Sequence, residues 1–278
     1  MALTSMREKE MLLEFYEELR DKLLGLASVK GISQSELQKY FIPEAVKFKQ
    51  SRYFRLASSL QNSWSMGGSI KFYGQMDMMQ SVLCAFDAGK VAERYADAQE
   101  LYEAFLQAGV EDRGSGKRRE TNWMKFVRGL FDGAQFLAKD DGGKDITRLI
   151  RLSNEPFVFT QGIGAIRHIS GKIHGLGFAL TCDWLKESGC TWLAKPDVHI
   201  DIIVRRMKAD SSYPESAVIR FIFDWAELIR EAGVDGEATA YKLDKMLWLL
   251  CTEKFYLDNT GSNRDVICRR IDEMRCEK

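Results

Sequence analysis

Proline is scarce in this chain, 4 residues in 278. Long helices tolerate few breakers, so a proline content this low points to a helical protein. Histidine is scarcer still, with His168, His174 and His199 the only three. None of the six cysteines (Cys84, Cys182, Cys190, Cys251, Cys268 and Cys276) stands in a CxxC pair or at zinc-finger spacing from a histidine. A structural zinc and a four-cysteine iron–sulfur cluster are therefore not expected, and no metal or cofactor is assigned. Net charge is absent as well: 40 Lys+Arg balance 40 Asp+Glu. That balance excludes a histone-like polycation but leaves room for a local basic face. No apolar run is long enough to span a membrane. The start, Met1-Ala2-Leu3-Thr4-Ser5, runs directly into Arg7-Glu8-Lys9-Glu10 and does not read as a secretory signal. A cytoplasmic protein with reduced thiols and no membrane partner is expected.

What the chain does have is apolar content at helical spacing. Hydrophobic residues make up 45% and aromatics 11%, enough for a packed core. Met11, Leu12, Phe15, Leu19, Leu23 and Leu24 mark an amphipathic opening helix that Gly31 ends, and Ser33 caps a short helix before Pro43. A Gly67-Gly68 turn precedes a Met-rich helix with Met76, Met78, Met79, Val82 and Leu83 on it. Such a stripe can form a partner groove, but core packing is its plainer reading. Helical patterns continue over 90–108, 122–138 and 213–231, where Phe221, Phe223, Trp225 and Leu228 read as core. Pro156-Phe157-Val158-Phe159 is the single short strand candidate. The loop Arg113-Gly-Ser-Gly-Lys117-Arg118-Arg119 is a solvated basic loop or a phosphate-contacting finger, and its spacing is not that of a P-loop.

The most informative stretch runs from Gly162 to Lys208. Ile163, Ile166, Ile169 and Ile173 recur at helical spacing and lead to His174-Gly175-Leu176-Gly177, after which Phe178 to Lys186 reads as a second helix. Two glycines one residue apart turn the chain sharply beside a helix N-terminus, where orphan amides and the helix dipole favour an anion such as phosphate. A plain helix–helix turn has the same look. Lys195-Pro196-Asp197-Val198-His199-Ile200 then opens a third helix, with Asp197 placed 22 residues after Gly175. An aspartate after proline is well suited to capping a helix and equally suited to serving as an ionised catalytic acid.

From about Phe159 to Met207 this combination resembles the helix–hairpin–helix DNA glycosylase superfamily, in which a Gly-x-Gly hairpin is followed by an Asp-x-His motif. The resemblance implies an all-α, two-lobed helical fold with a cleft. It implies that His174, Gly175, Leu176 and Gly177, helped by Lys172 and Arg205, contact DNA, that Asp197 is the catalytic acid, and that His199 supports it. The position of the family's Schiff-base lysine holds Ala179, which implies a monofunctional enzyme without lyase activity. A narrower likeness lies in Arg52-Tyr53-Phe54-Arg55-Leu56, Asn62-Ser63-Trp64-Ser65, the segment from Lys242 to Leu249, and Phe255-Tyr256. These resemble α-glutamyl/putrescinyl-thymine pyrophosphorylase-like proteins, a branch associated with heavily modified phage DNA bases and with anti-phage removal of glucosylated hydroxymethylcytosine.

Residues 1–50 are accordingly expected as a helical extension and 51–278 as a two-lobed core, with hairpin and acid at 159–208. Glycosidic bond cleavage builds positive charge on the deoxyribose, which a carboxylate stabilises. The base must first leave the stack, so a pocket with aromatic and polar walls is required. Asn62, Trp64, Tyr73 and Trp123 are the candidates, with Gln61 and Asn122 as further polar readers. Arg206, Lys208 and Lys117-Arg118-Arg119 add cations for the DNA backbone. The expected protein is a monomeric glycosylase acting on double-stranded DNA with a modified base. A base-hypermodification enzyme, a repair glycosylase for a damaged base and a non-catalytic helix–hairpin–helix DNA-binding protein are the competing readings.

Overall fold

The computed structural model describes residues 5–63, 66–112, 120–151, 159–252 and 264–276, and every regular element among them is helical. The chain divides into two units, Met1–Pro43 with Cys190–Lys278 and Glu44–Gly189. Residues 5–43 thus group with the C-terminal third, and Leu12, Phe15, Leu19, Leu23 and Leu37 join its apolar core.

The first unit opens with α1 (Met6–Val29), whose N-cap Ser5 accepts the Glu8 N–H at 3.0 Å, and α2 (Gln34–Gln38), started by a Ser33–Glu36 capping box. The chain then builds the second unit and returns as α13 (Val198–Lys208), α14 (Glu215–Glu231), α15 (Ala240–Thr252) and α16 (Arg264–Cys276). Leu12, Phe15, Leu19 and Leu23 of α1 bury one face against Phe221, Ile222 and Trp225 of α14 and Leu243, Leu247 and Leu250 of α15. Phe15 stacks on Trp225 with centroids 5.9 Å apart, and the Trp225 indole N–H donates to the Leu12 carbonyl at 3.0 Å. Phe223 and Leu228 pack on the same core at its margin.

The second unit runs through α3 (Glu44–Lys47), α4 (Arg52–Leu60), α5 (Gly67–Ile70), α6 (Met76–Val82), α7 (Ala88–Arg94), α8 (Ala98–Gln107), α9 (Asn122–Ala138), α10 (Asp140–Arg151), α11 (Phe159–Ser170) and α12 (Phe178–Glu187). Helix α9 is its hub, packed by α4, α5, α7, α8 and α10. The 90–108 pattern proves to be two helices, because Asp97 starts α8 afresh by accepting the Glu100 N–H. Gly67 and Gly68 lie inside the single turn of α5. In α6, Met79 and Val82 are buried in the core, while Met76 and Met78 are half-buried. Phe159 begins α11, and residues 156–158 of the strand candidate lie outside the described residues.

Gly129 and Gly133 of α9 have no room for a side chain: a Cβ at Gly129 would sit 2.6 Å from the His174 carbonyl, and one at Gly133 would sit 2.1 Å from Leu56. Helix α4 and the hairpin turn can approach α9 only because those positions are glycine. Helix α12 is tied to α4 by the Trp184 indole N–H, which donates to the Arg52 carbonyl at 2.8 Å. Among the described residues no helix is long and apolar enough to cross a membrane.

Candidate active site and nucleic-acid interface

The hairpin lies wholly in the second unit. Ile163, Ile166 and Ile169 bury one face of α11, and Ile173 and Leu176 anchor the turn in the core. Gly175 takes φ +74°, a left-handed conformation that glycine adopts without steric cost. Gly177 is different: at φ −65°, ψ 171° it is extended, and it serves as the N-cap of α12 with no side-chain cap. The turn is held from outside. Asp132 of α9 accepts the His174 N–H at 3.0 Å, and the Ser63 hydroxyl donates to the Gly175 carbonyl at 2.8 Å. In front of it lies a cleft of about 450 Å³ lined by Asn62, Ser63, Ser170, Gly175, Gly177 and Leu180. The uncapped start of α12 borders that cleft, and first-turn amides with a favourable dipole suit an anion there.

Asp197 lies in the first unit, at the N-cap of α13. Its Oδ1 accepts the backbone N–H groups of His199 at 3.0 Å and Ile200 at 3.2 Å. Its Oδ2 has no hydrogen-bond donor among the described residues. The capping and acid–base readings of this residue therefore use different oxygens. His199 occupies the first turn of α13, half-buried, and its Nδ1 is buried without a hydrogen-bond partner among the described residues.

The other candidate residues separate on inspection. Lys172 is exposed beside the hairpin and lines a second cleft of about 410 Å³ with Asp132, Gln135, Lys139 and His168. Arg205 is engaged within its own unit: Nε donates to Asp201 at 2.6 Å and Nη1 to the Ser211 carbonyl. Arg206 pairs with Asp272 and Lys208 with Glu8. Each of these three cations is thus paired with a carboxylate of its own unit. Lys117, Arg118 and Arg119 lie outside the described residues.

Of the base-pocket candidates, Asn62 is exposed and shares the hairpin cleft. Tyr73 is exposed too, its hydroxyl 2.8 Å from the Ser58 hydroxyl and accepting from Arg55 at 3.4 Å. Trp123 is 4% exposed, packed between Phe105 and Phe126, so its ring has no face left for a base. Trp64 falls outside the described residues. Gln61 accepts the Phe72 N–H, and the Asn122 amide donates to Ser69.

Sequence reasoning missed a buried polar cluster on α4 and α12. Arg55 is 4% exposed and pairs with Glu44, whose N–H donates to Glu187 at 3.1 Å, and the Ser59 hydroxyl donates to Asp183 at 3.0 Å. Burial opposes the charge on Arg55, but Glu44 and Glu187 outweigh it and hold the guanidinium above its ordinary value. Nothing in the spacing of these residues signals the cluster.

No protein-family model matches the chain, and no curated protein does. Among solved structures, the 8-oxoguanine DNA glycosylase of Thermotoga maritima is similar over 85% of this chain and 98% of that one, at 15% identity and a TM-score of 0.48. A likeness at that level carries no conclusion about substrate or chemistry.

Proposed function

We propose that this chain is a monofunctional DNA glycosylase that flips out a modified base of duplex DNA and removes it by hydrolysis. The observation that carries the reading is the pairing of two built features on one short stretch of sequence. One is a Gly175-Leu176-Gly177 turn that borders a cleft with the uncapped start of α12. The other is an aspartate, 22 residues later, that caps a helix with one oxygen and keeps the second for chemistry.

In this mechanism the hairpin amides, with Lys172 alongside, hold a backbone phosphate and fix the register of the duplex. The target nucleotide leaves the stack. As the C1′–N bond lengthens, Asp197 Oδ2 faces the positive charge that develops on the deoxyribose and takes a proton from the attacking water. The hydroxide of that water ends on C1′, the base departs with the bonding electron pair and is protonated, and an abasic site remains. Ala179, at the start of α12, has no amine to attack C1′, so water is the nucleophile. His199 supports Asp197 from the next turn position.

The substrate we favour is glucosylated hydroxymethylcytosine of phage DNA, removed by a monomeric enzyme in anti-phage defence. Support for it is the likeness of Arg52–Leu56, Asn62–Ser65 and Lys242–Leu249 to the branch associated with hypermodified phage bases. The test is abasic-site formation in duplexes carrying this base, oxidised or alkylated bases, or ordinary bases only. Abasic sites in the glucosylated duplex alone support the whole reading. Abasic sites only in a damaged duplex move the enzyme to repair, and none in any duplex defeats the glycosylase assignment.

A further inference from the structure

The loop that carries Asp197 hangs from α15. The Thr191 carbonyl accepts the Tyr241 N–H at 2.9 Å, and the Lys195 N–H donates to Asp244 Oδ1 at 2.8 Å. The Asp197 N–H in turn donates to the Lys195 carbonyl at 2.8 Å. The residue that Asp244 holds is therefore the one on which Asp197 turns. Between them stands Pro196, buried, with its φ fixed by the ring and its predecessor kept out of the helical region. Little slack separates the two aspartates.

Asp244 is 2% exposed on a helix whose neighbours Leu243, Leu247 and Leu250 fill the apolar core. Burying a carboxylate there is costly unless it is well bonded. We infer that Asp244 is a positioning residue for Asp197: it pins Lys195 so that the Asp197 carboxylate meets the first turn of α13 with Oδ1 and presents Oδ2. The geometric part of this inference stands without the glycosylase reading, and its catalytic consequence rests on that reading.

The His199 and Ile200 amides belong to the first turn of α13 and have no partner within the helix, so their protection from solvent exchange reports directly on the Asp197 carboxylate. Residue-resolved amide exchange on the full chain tests the inference. Asp244→Ala is expected to speed exchange at least tenfold at Lys195, His199 and Ile200 together, with the amides of α1 as folding control. Asp244→Asn retains an acceptor oxygen and is expected to stay within twofold of wild type. Asp244→Leu, close in volume and without an acceptor, repeats the test if the alanine variant does not fold. Faster exchange at Lys195 with His199 and Ile200 unchanged overturns the inference. On a DNA that wild type processes, Asp244→Ala should lower kcat at least tenfold with KM within twofold, and Asp244→Asn should restore it. A wild-type protein inactive on every DNA would sink the glycosylase reading, while the exchange pattern still decides the positioning role.

Discussion

Asp197 Oδ1 accepts both the His199 and the Ile200 N–H, at 3.0 and 3.2 Å, and Oδ2 accepts nothing among the described residues. Helix capping and acid–base chemistry are usually weighed as alternatives for an aspartate in this position. Here the two readings do not compete, since the cap uses Oδ1 and leaves Oδ2 without a donor among the described residues.

The first prediction separates the two roles. Asparagine caps a helix about as well as aspartate, so Asp197→Asn should change stability by less than about 1 kcal/mol in urea unfolding. Base release should nevertheless fall on the order of 10²–10⁴-fold, the range of general acid–base contributions, with affinity for the same DNA unchanged. Asp197→Ala should show the same loss of activity and a further loss of about 1 kcal/mol of stability.

The hairpin makes a second prediction through a residue outside it. A Cβ at Gly129 would meet the His174 carbonyl at 2.6 Å and Leu60 at 3.0 Å. Gly129→Ala should therefore cost about 1–3 kcal/mol, as overpacking does, and weaken DNA binding by displacing the turn. Fluorescence anisotropy with unmodified duplex is the measurement. Full affinity in a folded Gly129→Ala variant would detach the hairpin from DNA contact.

Ala179 offers a gain-of-function test. Ala179→Lys places an amine in the first turn of α12, where the dipole and partial burial favour its neutral, nucleophilic form. Borohydride should then trap this variant covalently on DNA that contains an abasic site, and should leave wild type untrapped. Trapping of wild type would contradict the monofunctional assignment.

Asp235 should contribute to the acid sensitivity of the fold. Burial works against its charge, but Lys242 at 2.7 Å, the Tyr16 hydroxyl and the Glu237 N–H outweigh it and hold the carboxyl below its ordinary value. With the folded pKa below the unfolded one, the stabilisation is complete above the unfolded value of about 3.9 and is lost as pH falls through the lower folded value. Asp235→Asn should cost about 1.5–3 kcal/mol at pH 7, and the gap to wild type should close on acidification. A gap that persists in acid would assign the effect to packing.

What could be read from the sequence was local. The bounds of α9, the Ser33 cap and the order of helix, Gly-x-Gly turn and Asp-capped helix all follow from spacings under one helix length. What could not be read was long-range. Asp132 reaches the hairpin across 42 residues and Asp244 reaches Lys195 across 49. Arg206 and Lys208 looked like free cations because Asp272 and Glu8 stand 66 and 200 residues away. Trp123 looked like a stacking platform because an aromatic at a helix start carries no mark of which side it buries. Gly177 shared a motif with Gly175, yet only one of the pair needs a left-handed backbone.

The measurement that tests the central claim most directly is mass spectrometry of free base released from duplex DNA bearing glucosylated hydroxymethylcytosine, with wild type and Asp197→Asn side by side. The account predicts intact glucosylated base and abasic DNA from wild type, and neither from the variant. Equal release by Asp197→Asn, or a modified base that stays attached to its sugar, would contradict it.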